Sequence, residues 1–167
     1  IRIQSGDMSV SYDKSKGEGW TAKIVAYGLD RDDFRASALD LTASGRITPD
    51  LFGATVAFTG EGLEPRDAAT ARALGSFVAG DAVLYYHKGE GGLAIPKLRL
   101  QGEDYNASAT GARVAGLADA LTLTGKVSAE LEDLSRFAPL AKAPLEGAAR
   151  AEVTGSFSPL TGAFDLA

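Results

Sequence analysis

The chain of 167 residues has an ordinary apolar content of 45%, but small residues dominate it. Alanine accounts for 29 residues and glycine for 20, whereas Leu, Ile, Val, Phe, Met and Trp together total only 41. The net charge of −5 without a basic stripe argues against nucleic-acid binding, and the absence of cysteine excludes disulfides and thiol chemistry. The most apolar stretch, residues 73–86, contains Asp81 and is too short to span a bilayer.

Apolar and polar residues alternate with period two along most of the chain. Because successive side chains of a strand point to opposite faces, this alternation predicts an antiparallel sheet with one apolar and one polar face. The predicted strands lie at residues 8–12, 20–27, 39–43, 52–58, 98–100, 105–109, 121–123, 127–131, 149–153 and 164–166. Turn-forming residues separate these runs, so the sequence predicts a mainly β protein built as a meander of hairpins.

Residues 67–78 interrupt the alternation and predict a first short helix. Asp67 is expected to cap its N-terminus, and Ala73 and Phe77 share a face at four-residue spacing. Gly80 is expected to follow the helix as a stop signal.

Residues 133–141 predict a second, shorter helix. Asp133 is expected to cap it, and Pro139 predicts an early end or a kink. Both helices follow a Leu-Glu strand end and precede a Gly and a new strand, at an offset of almost 70 residues. We therefore expect one fragment of a longer repetitive protein, with degenerate repeats at about 51–116 and 117–167, the second truncated.

Residues that could carry out chemistry are sparse. His87 is the only histidine, and with no cysteine a structural zinc site is excluded. Neither a Gly-x-Ser-x-Gly nucleophile turn nor a glycine-rich phosphate loop is present. Residues 30–33 include three aspartates but lack the spacing of a calcium loop. We therefore expect no enzyme activity, no catalytic residues, no metal and no cofactor.

The apolar face of such a sheet needs a cover, because soluble proteins avoid large exposed apolar patches. The sheet could close into a barrel, fold into a sandwich, or curl around an apolar ligand. Alanine occupies many inward positions, such as Ala22, Ala43 and Ala129, and so leaves room in the interior. Composition alone does not choose among these three arrangements.

Residues 131–147 read Leu-Glu-Asp-Leu-Ser-Arg-Phe-Ala-Pro-Leu-Ala-Lys-Ala-Pro-Leu-Glu-Gly, and a strand, a turn and a new strand follow up to Leu166. This passage resembles the repeat of TamB-type proteins, in which an Asp-Leu-Ser-x-Phe/Leu helix precedes Leu-x-Gly and a strand. AsmA-like proteins of the bridge-like lipid transfer superfamily have repeats of a similar kind. The resemblance covers about residues 117–167 and extends more loosely over 34–116.

The resemblance implies an elongated, curled, mostly antiparallel sheet, shaped like a trough or taco, with an apolar concave face and two short helices. TamB-type proteins are anchored in the inner membrane of Gram-negative bacteria and cross the periplasm. They partner TamA, an outer-membrane barrel of the Omp85 type, in the translocation and assembly module. We therefore expect a periplasmic segment of an inner-membrane-anchored protein, itself without a membrane span.

The function implied by the resemblance belongs to cell envelope biogenesis. The segment would carry phospholipid along an apolar groove between the two membranes and support outer-membrane assembly and protein secretion. Its partners would be phospholipid acyl chains and, through regions outside this sequence, a TamA-like barrel. The alternatives are a scaffold for inserting outer-membrane β-proteins with an Omp85-type partner, and an unrelated β-rich structural module.

The family has no catalytic residues to transfer, since its functional feature is a face of the sheet. Candidates for lining the groove therefore follow from the alternation of apolar residues. They are Met8, Val10, Ile24, Leu39, Leu41, Val56, Phe58, Leu98, Leu100, Leu121, Leu123 and Val127.

Overall fold

The computed structural model describes residues 2–89, 92–115, 122–158 and 163–166. Its strands are β1 (Ser5–Asp13), β2 (Gly19–Asp30), β3 (Phe34–Ile47), β4 (Leu51–Glu61), β5 (Glu64–Pro65), β6 (Phe77–His87), β7 (Gly92–Gln101), β8 (Tyr105–Ala115), β9 (Thr122–Leu131), β10 (Ala149–Ser158) and β11 (Ala163–Leu166). The short β5 pairs with β3, and the other ten strands follow one another across the sheet in chain order.

The described strands form one curled, open antiparallel sheet. The outermost strands, β1 and β11, do not pair with each other, so these strands do not close into a barrel. This arrangement confirms the prediction of a mainly β, antiparallel meander. The arrangement is physically simple, because each hairpin places its second strand directly beside the first.

The first helix, α1, spans Ala68–Leu74 and has the predicted cap. The Asp67 carboxylate accepts hydrogen bonds from the Thr70 backbone N–H, at 2.8 Å, and from the Thr70 hydroxyl, at 2.6 Å. These bonds satisfy an N–H that has no partner within the helix. A short 3-10 turn (Lys14–Lys16) has a similar cap from Asp13.

The predicted extent of this first helix, residues 67–78, is wrong at its C-terminal end. The helix ends at Gly75, which has a φ of 75°, and Phe77 starts β6. Gly80 lies inside β6 and does not stop a helix. A Cβ atom at Gly80 would lie 2.6 Å from the Arg99 carbonyl oxygen and 2.7 Å from the Phe58 ring, so the close approach of both requires glycine there.

The second helical segment begins after Asp133, as predicted, but it has two parts. A 3-10 turn (Leu134–Phe137) leads directly into the α-helical turn α2 (Ala138–Ala141). Pro139 lies in the first turn of α2, where its missing N–H costs no hydrogen bond. The segment continues past Pro139 to Ala141, so the predicted early end is wrong, and a kink at Pro139 stays a prediction.

Both helical segments lie at the same end of the sheet and contact each other. The Arg136 Nε atom donates a hydrogen bond to the Arg72 carbonyl at 3.1 Å. The four strands β6 to β9 lie between the two segments, and an even number of strands returns the chain to the same end. The repeats at 51–116 and 117–167 stay a prediction.

A small cluster of buried residues lies beneath α1. Ala36, Leu63 and Val78 form its centre, and no side chain among the described residues is completely buried. Partly buried neighbours surround this centre, namely Leu29, Phe34, Leu39, Phe58, Leu74, Leu100 and Tyr105. The accessible surface of 10682 Å² exceeds the roughly 7,800 Å² of a compact protein of this mass. The fold therefore leaves much of its sheet uncovered.

Candidate apolar binding face

The cross-strand register aligns apolar positions of successive strands in rows on one side of the sheet, which we call the apolar face. One row contains, in strand order, Met8, Ile24, Leu41, Phe58, Gly80, Leu100, Ala107, Ala129 and Ala151. The next row contains Val10, Ala22, Ala43, Val56, Ala82, Leu98, Ala109, Val127 and Val153. Because side chains of paired residues point to the same side, each row forms a continuous apolar strip from β1 to β10.

Nine of the twelve candidate groove residues fall in these two rows, and Leu39 follows in the adjacent row opposite Ala26 and Gly60. Leu123 pairs in register with Val114 and Phe157, but its side chain lies outside the described part. Leu121 also lies outside the described residues. The structure therefore brings ten candidates onto one face, while their role in lining a groove stays a prediction.

The opposite side of the sheet is polar. A representative row contains Ser9, Lys23, Thr42, Ala57, Asp81, Arg99, Ser108, Ser128 and Glu152. Ion pairs span neighbouring strands on this side, at 3.0 Å between Lys97 and Asp81 and at 2.8 Å between Lys126 and Glu152. The sheet is thus amphipathic across its whole width.

The apolar face is covered unevenly. Beneath α1, Ala36, Leu63 and Val78 are buried. At the β1 edge, Met8 is 74% exposed and Val10 is 67% exposed. The face therefore has a covered helix end and an open β1 edge.

A hollow of about 510 Å³ opens on the apolar face beside α1. Its walls include Ile24, Leu39, Leu41 and Phe58 from the sheet and Leu74 from α1. We call this the apolar hollow. Hydrocarbon side chains make most of its lining, so it suits an apolar ligand held by burial rather than by hydrogen bonds.

A second hollow of about 660 Å³ lies on the polar side. Asp40, Asp81, Arg99, Asn106 and Glu130 are among the residues that line it. Hollows therefore open on both sides of the curled sheet, and a trough with an apolar concave face stays a prediction.

The aromatic residues Trp20 and Phe52 of the apolar face are among those absent from the candidate set. Trp20 stacks on Phe52 with ring centroids 5.6 Å apart, across β3, where Gly45 pairs with Trp20 and Ile47 pairs with Phe52. The alternation already indicates both residues, because Trp20 lies four residues from Ile24 and Phe52 lies four residues from Val56, which places each pair on the same face. Leu63 and Leu74 are also absent from that set, because they lie in a turn and a helix where period two does not apply.

An ion-pair cluster, which we call the Arg136 clasp, joins the helical segments to the β7–β8 turn. The Arg136 guanidinium is only 13% exposed and pairs with Asp104 and with Glu103, the latter at 2.8 Å. Its Nε atom donates to the Arg72 carbonyl of α1. Glu103 also accepts hydrogen bonds from the Ser76 backbone N–H, at 2.9 Å, and from the Ser76 hydroxyl, at 2.5 Å.

These contacts shift the acidity of the groups involved. Hydrogen bonds from Ser76, followed by that from Arg136, lower the pKa of Glu103 from an ordinary 4.5 to about 2. Burial raises the pKa of Tyr105, whose hydroxyl donates to the Leu74 carbonyl at 3.3 Å. The Tyr105 ring also packs edge-on against Phe137, with centroids 6.1 Å apart. The sequence carried no signal for this cluster, because its members are distant along the chain.

The described residues contain no group of three or more acidic or histidine side chains placed to hold a metal ion. His87 ends β6 with an exposed side chain. Within the same described ranges, no helix is long and apolar enough to cross a membrane.

Comparisons of the chain with protein-family models, with curated proteins and with solved structures find no match. The resemblance to TamB-type repeats therefore stays a prediction from sequence motifs. The geometry defines a broader class, an open amphipathic sheet whose apolar face is partly covered by short helices.

Proposed function

We propose that this chain is a segment of a TamB-like protein that carries phospholipid along its apolar face between the inner and outer membranes. The observation that supports this proposal most strongly is the continuous pair of apolar rows from β1 to β10, left open at the β1 edge. Acyl chains would lie on these rows, and their burial would contribute about 25 cal/mol per Å². The role is transport without a chemical step, so we propose no enzyme activity.

The exposure at the β1 edge gives a physical reason for a ligand. Met8, Val10 and Tyr12 are all more than half exposed, and Ile24 beside them is 39% exposed. An acyl chain lying across these side chains would remove apolar surface from water. The small residues within the rows, such as Ala22, leave space for such a chain next to the bulky ones.

The cellular setting follows from the sequence resemblance alone. We propose the periplasm of a Gram-negative bacterium, with an inner-membrane anchor and a TamA-like outer-membrane barrel contacted through other regions of the full-length protein. In this setting, lipid delivery would support outer-membrane assembly.

A matched pair of substitutions in β3 tests lipid transport. Leu41 lies on the apolar face between Ile24 and Phe58, whereas Thr42 points to the polar side. Arginine at position 41 would place a charge against the acyl chain, at a cost of about 2.8 kcal/mol or about a hundredfold in affinity. We expect Leu41→Arg to lose bound phospholipid and Thr42→Arg to retain it.

The measurement is lipid extraction combined with native mass spectrometry of the purified chain, with circular dichroism as a folding control. A wild-type chain that carries no lipid would contradict the proposal. Equal lipid content in folded Leu41→Arg and in Thr42→Arg would contradict the assignment of this face.

The free edge of β1 favours a second candidate function, a scaffold for β-strands of outer-membrane proteins. Among the described strands, β1 pairs only with β2, and an added client strand would form hydrogen bonds with the outer edge of β1. A photo-crosslinker at Ser9 would then capture client strands, whereas one at Leu41 would capture lipid if the first proposal holds. An unrelated structural module would give neither product.

A further inference from the structure

Leu74 of α1 contributes to the wall of the apolar hollow. We propose that Arg136 is a positioning residue that holds α1 on the apolar face, so that Leu74 forms an end wall limiting the length of acyl chain that the hollow accepts. The acyl chain as ligand rests on the proposed function, whereas the anchoring of α1 does not.

The helix α1 has little to hold it in place by itself. It has seven residues, of which only Ala73 is buried. Isolated helices of this length are unstable in water even with favourable sequences. The position of α1 therefore depends on contacts from outside the helix.

The Arg136 clasp supplies such contacts on both sides of the last turn of α1. Arg136 binds the carbonyl of Arg72 inside the helix, and Glu103 binds the backbone and hydroxyl of Ser76 just beyond it. Because the Arg136 side chain is only 13% exposed, removing it leaves Glu103 and the helix carbonyl without their shared donor. Loss of Arg136 is therefore expected to release α1.

Leu74 connects the clasp to the apolar hollow. Its side chain lines the hollow beside Leu39 and Phe58 and also packs against the buried cluster. Its carbonyl accepts the hydrogen bond from Tyr105, the residue that follows Glu103 and Asp104 in the clasp. The same turn therefore fixes both Arg136 and the backbone of Leu74.

An end wall has a measurable consequence for ligand length. Each additional methylene buried raises affinity about fourfold. This gain stops once the chain end reaches Leu74, and further methylenes would remain in water. Releasing α1 removes the limit, so longer chains would continue to gain affinity.

The test compares wild type with Arg136→Met and with the control Arg31→Met. Arg31 also forms a bidentate pair with a carboxylate, that of Asp33 at 2.7 Å, but it lies in the exposed β2–β3 turn. Hydrogen exchange is measured over residues 68–75, and binding is measured with lauric, palmitic and stearic acids. We expect exchange at least tenfold faster in Arg136→Met only, together with continued affinity gains through stearic acid that wild type and Arg31→Met lack.

Unchanged exchange over residues 68–75 in Arg136→Met would overturn the anchoring role. Faster exchange with an unchanged dependence on chain length would overturn the end wall. If Arg136→Met does not fold, Leu74→Ala keeps the clasp and removes the wall, and it must then extend the chain-length gain for the proposal to stand. A folded wild type that binds no fatty acid overturns the lipid function and the end wall together, while the exchange comparison still decides the anchoring role.

Discussion

The helix end and the β1 edge of the apolar face have the same alternating sequence pattern but different surroundings. Beneath α1, Leu63 and Val78 are buried, whereas Met8 and Val10 at the β1 edge are largely exposed. At the helix end, Leu74 of α1 packs against the buried cluster, whereas β1 is an edge strand that has only β2 beside it among the described strands. An apolar face of one continuous register can therefore contribute to stability at one end and offer a binding surface at the other.

The largest expected effect contrasts these two regions directly. Leu63→Ala removes a buried side chain from the cluster and should lower the free energy of unfolding by about 3 kcal/mol. Met8→Ala, at an exposed position of the same face, should change it by less than about 0.5 kcal/mol. Urea denaturation of both variants measures the contrast, and similar losses for the two would show that the β1 edge is covered in solution.

A smaller effect is expected at the cap of α1. Asp67→Ala removes the acceptor for the Thr70 N–H and should lower the free energy of unfolding, but by less than Leu63→Ala does. Faster hydrogen exchange confined to residues 68–74 should accompany the loss. The control Asp32→Ala lies in the exposed β2–β3 turn, and an equal effect there would rule out a specific contribution from the cap.

The smallest effect is a dependence on pH at the clasp. The folded pKa of Glu103, about 2, lies below its ordinary value of 4.5, so the ionised carboxylate stabilises the fold fully above pH 4.5. This contribution is lost as the pH falls from 4.5 through about 2. The difference in melting temperature between wild type and Glu103→Gln should shrink over that window and vanish below it.

The control for this titration is Glu61→Gln, because Glu61 forms no ion pair among the described residues. A difference between wild type and Glu103→Gln that persists below pH 2 would mean that the charge of Glu103 is not what stabilises the clasp.

Much of the fold could be predicted because strand alternation is a local property. The alternation along each strand predicts that residues such as Met8, Ile24 and Leu41 share one face, and the cross-strand register places them in one row. The end of α1 could not be predicted in the same way. Phe77 continued the helical spacing, but pairing with Glu61 of β4 draws it into β6.

The candidate site was predictable only in part, for the same physical reason. The alternation along the strands identifies the apolar face, but it does not distinguish Val78, which is buried under α1, from Val10, which is exposed. Trp20 and Phe52 also fall on this face by the alternation, and only their stacking reveals that they pack together. The three acidic and basic residues of the clasp showed no pattern at all.

Which side chains share a face follows from the sequence alone, because side chains alternate between the two faces along every strand, whichever strand lies beside it. The same is true of the caps at Asp67 and Asp133, which bind backbone N–H groups two or three residues away. How much of that face is covered follows from the packing of segments that are distant in the chain. That coverage depends on contacts such as those between Arg136 and Glu103, which are 33 residues apart in the chain.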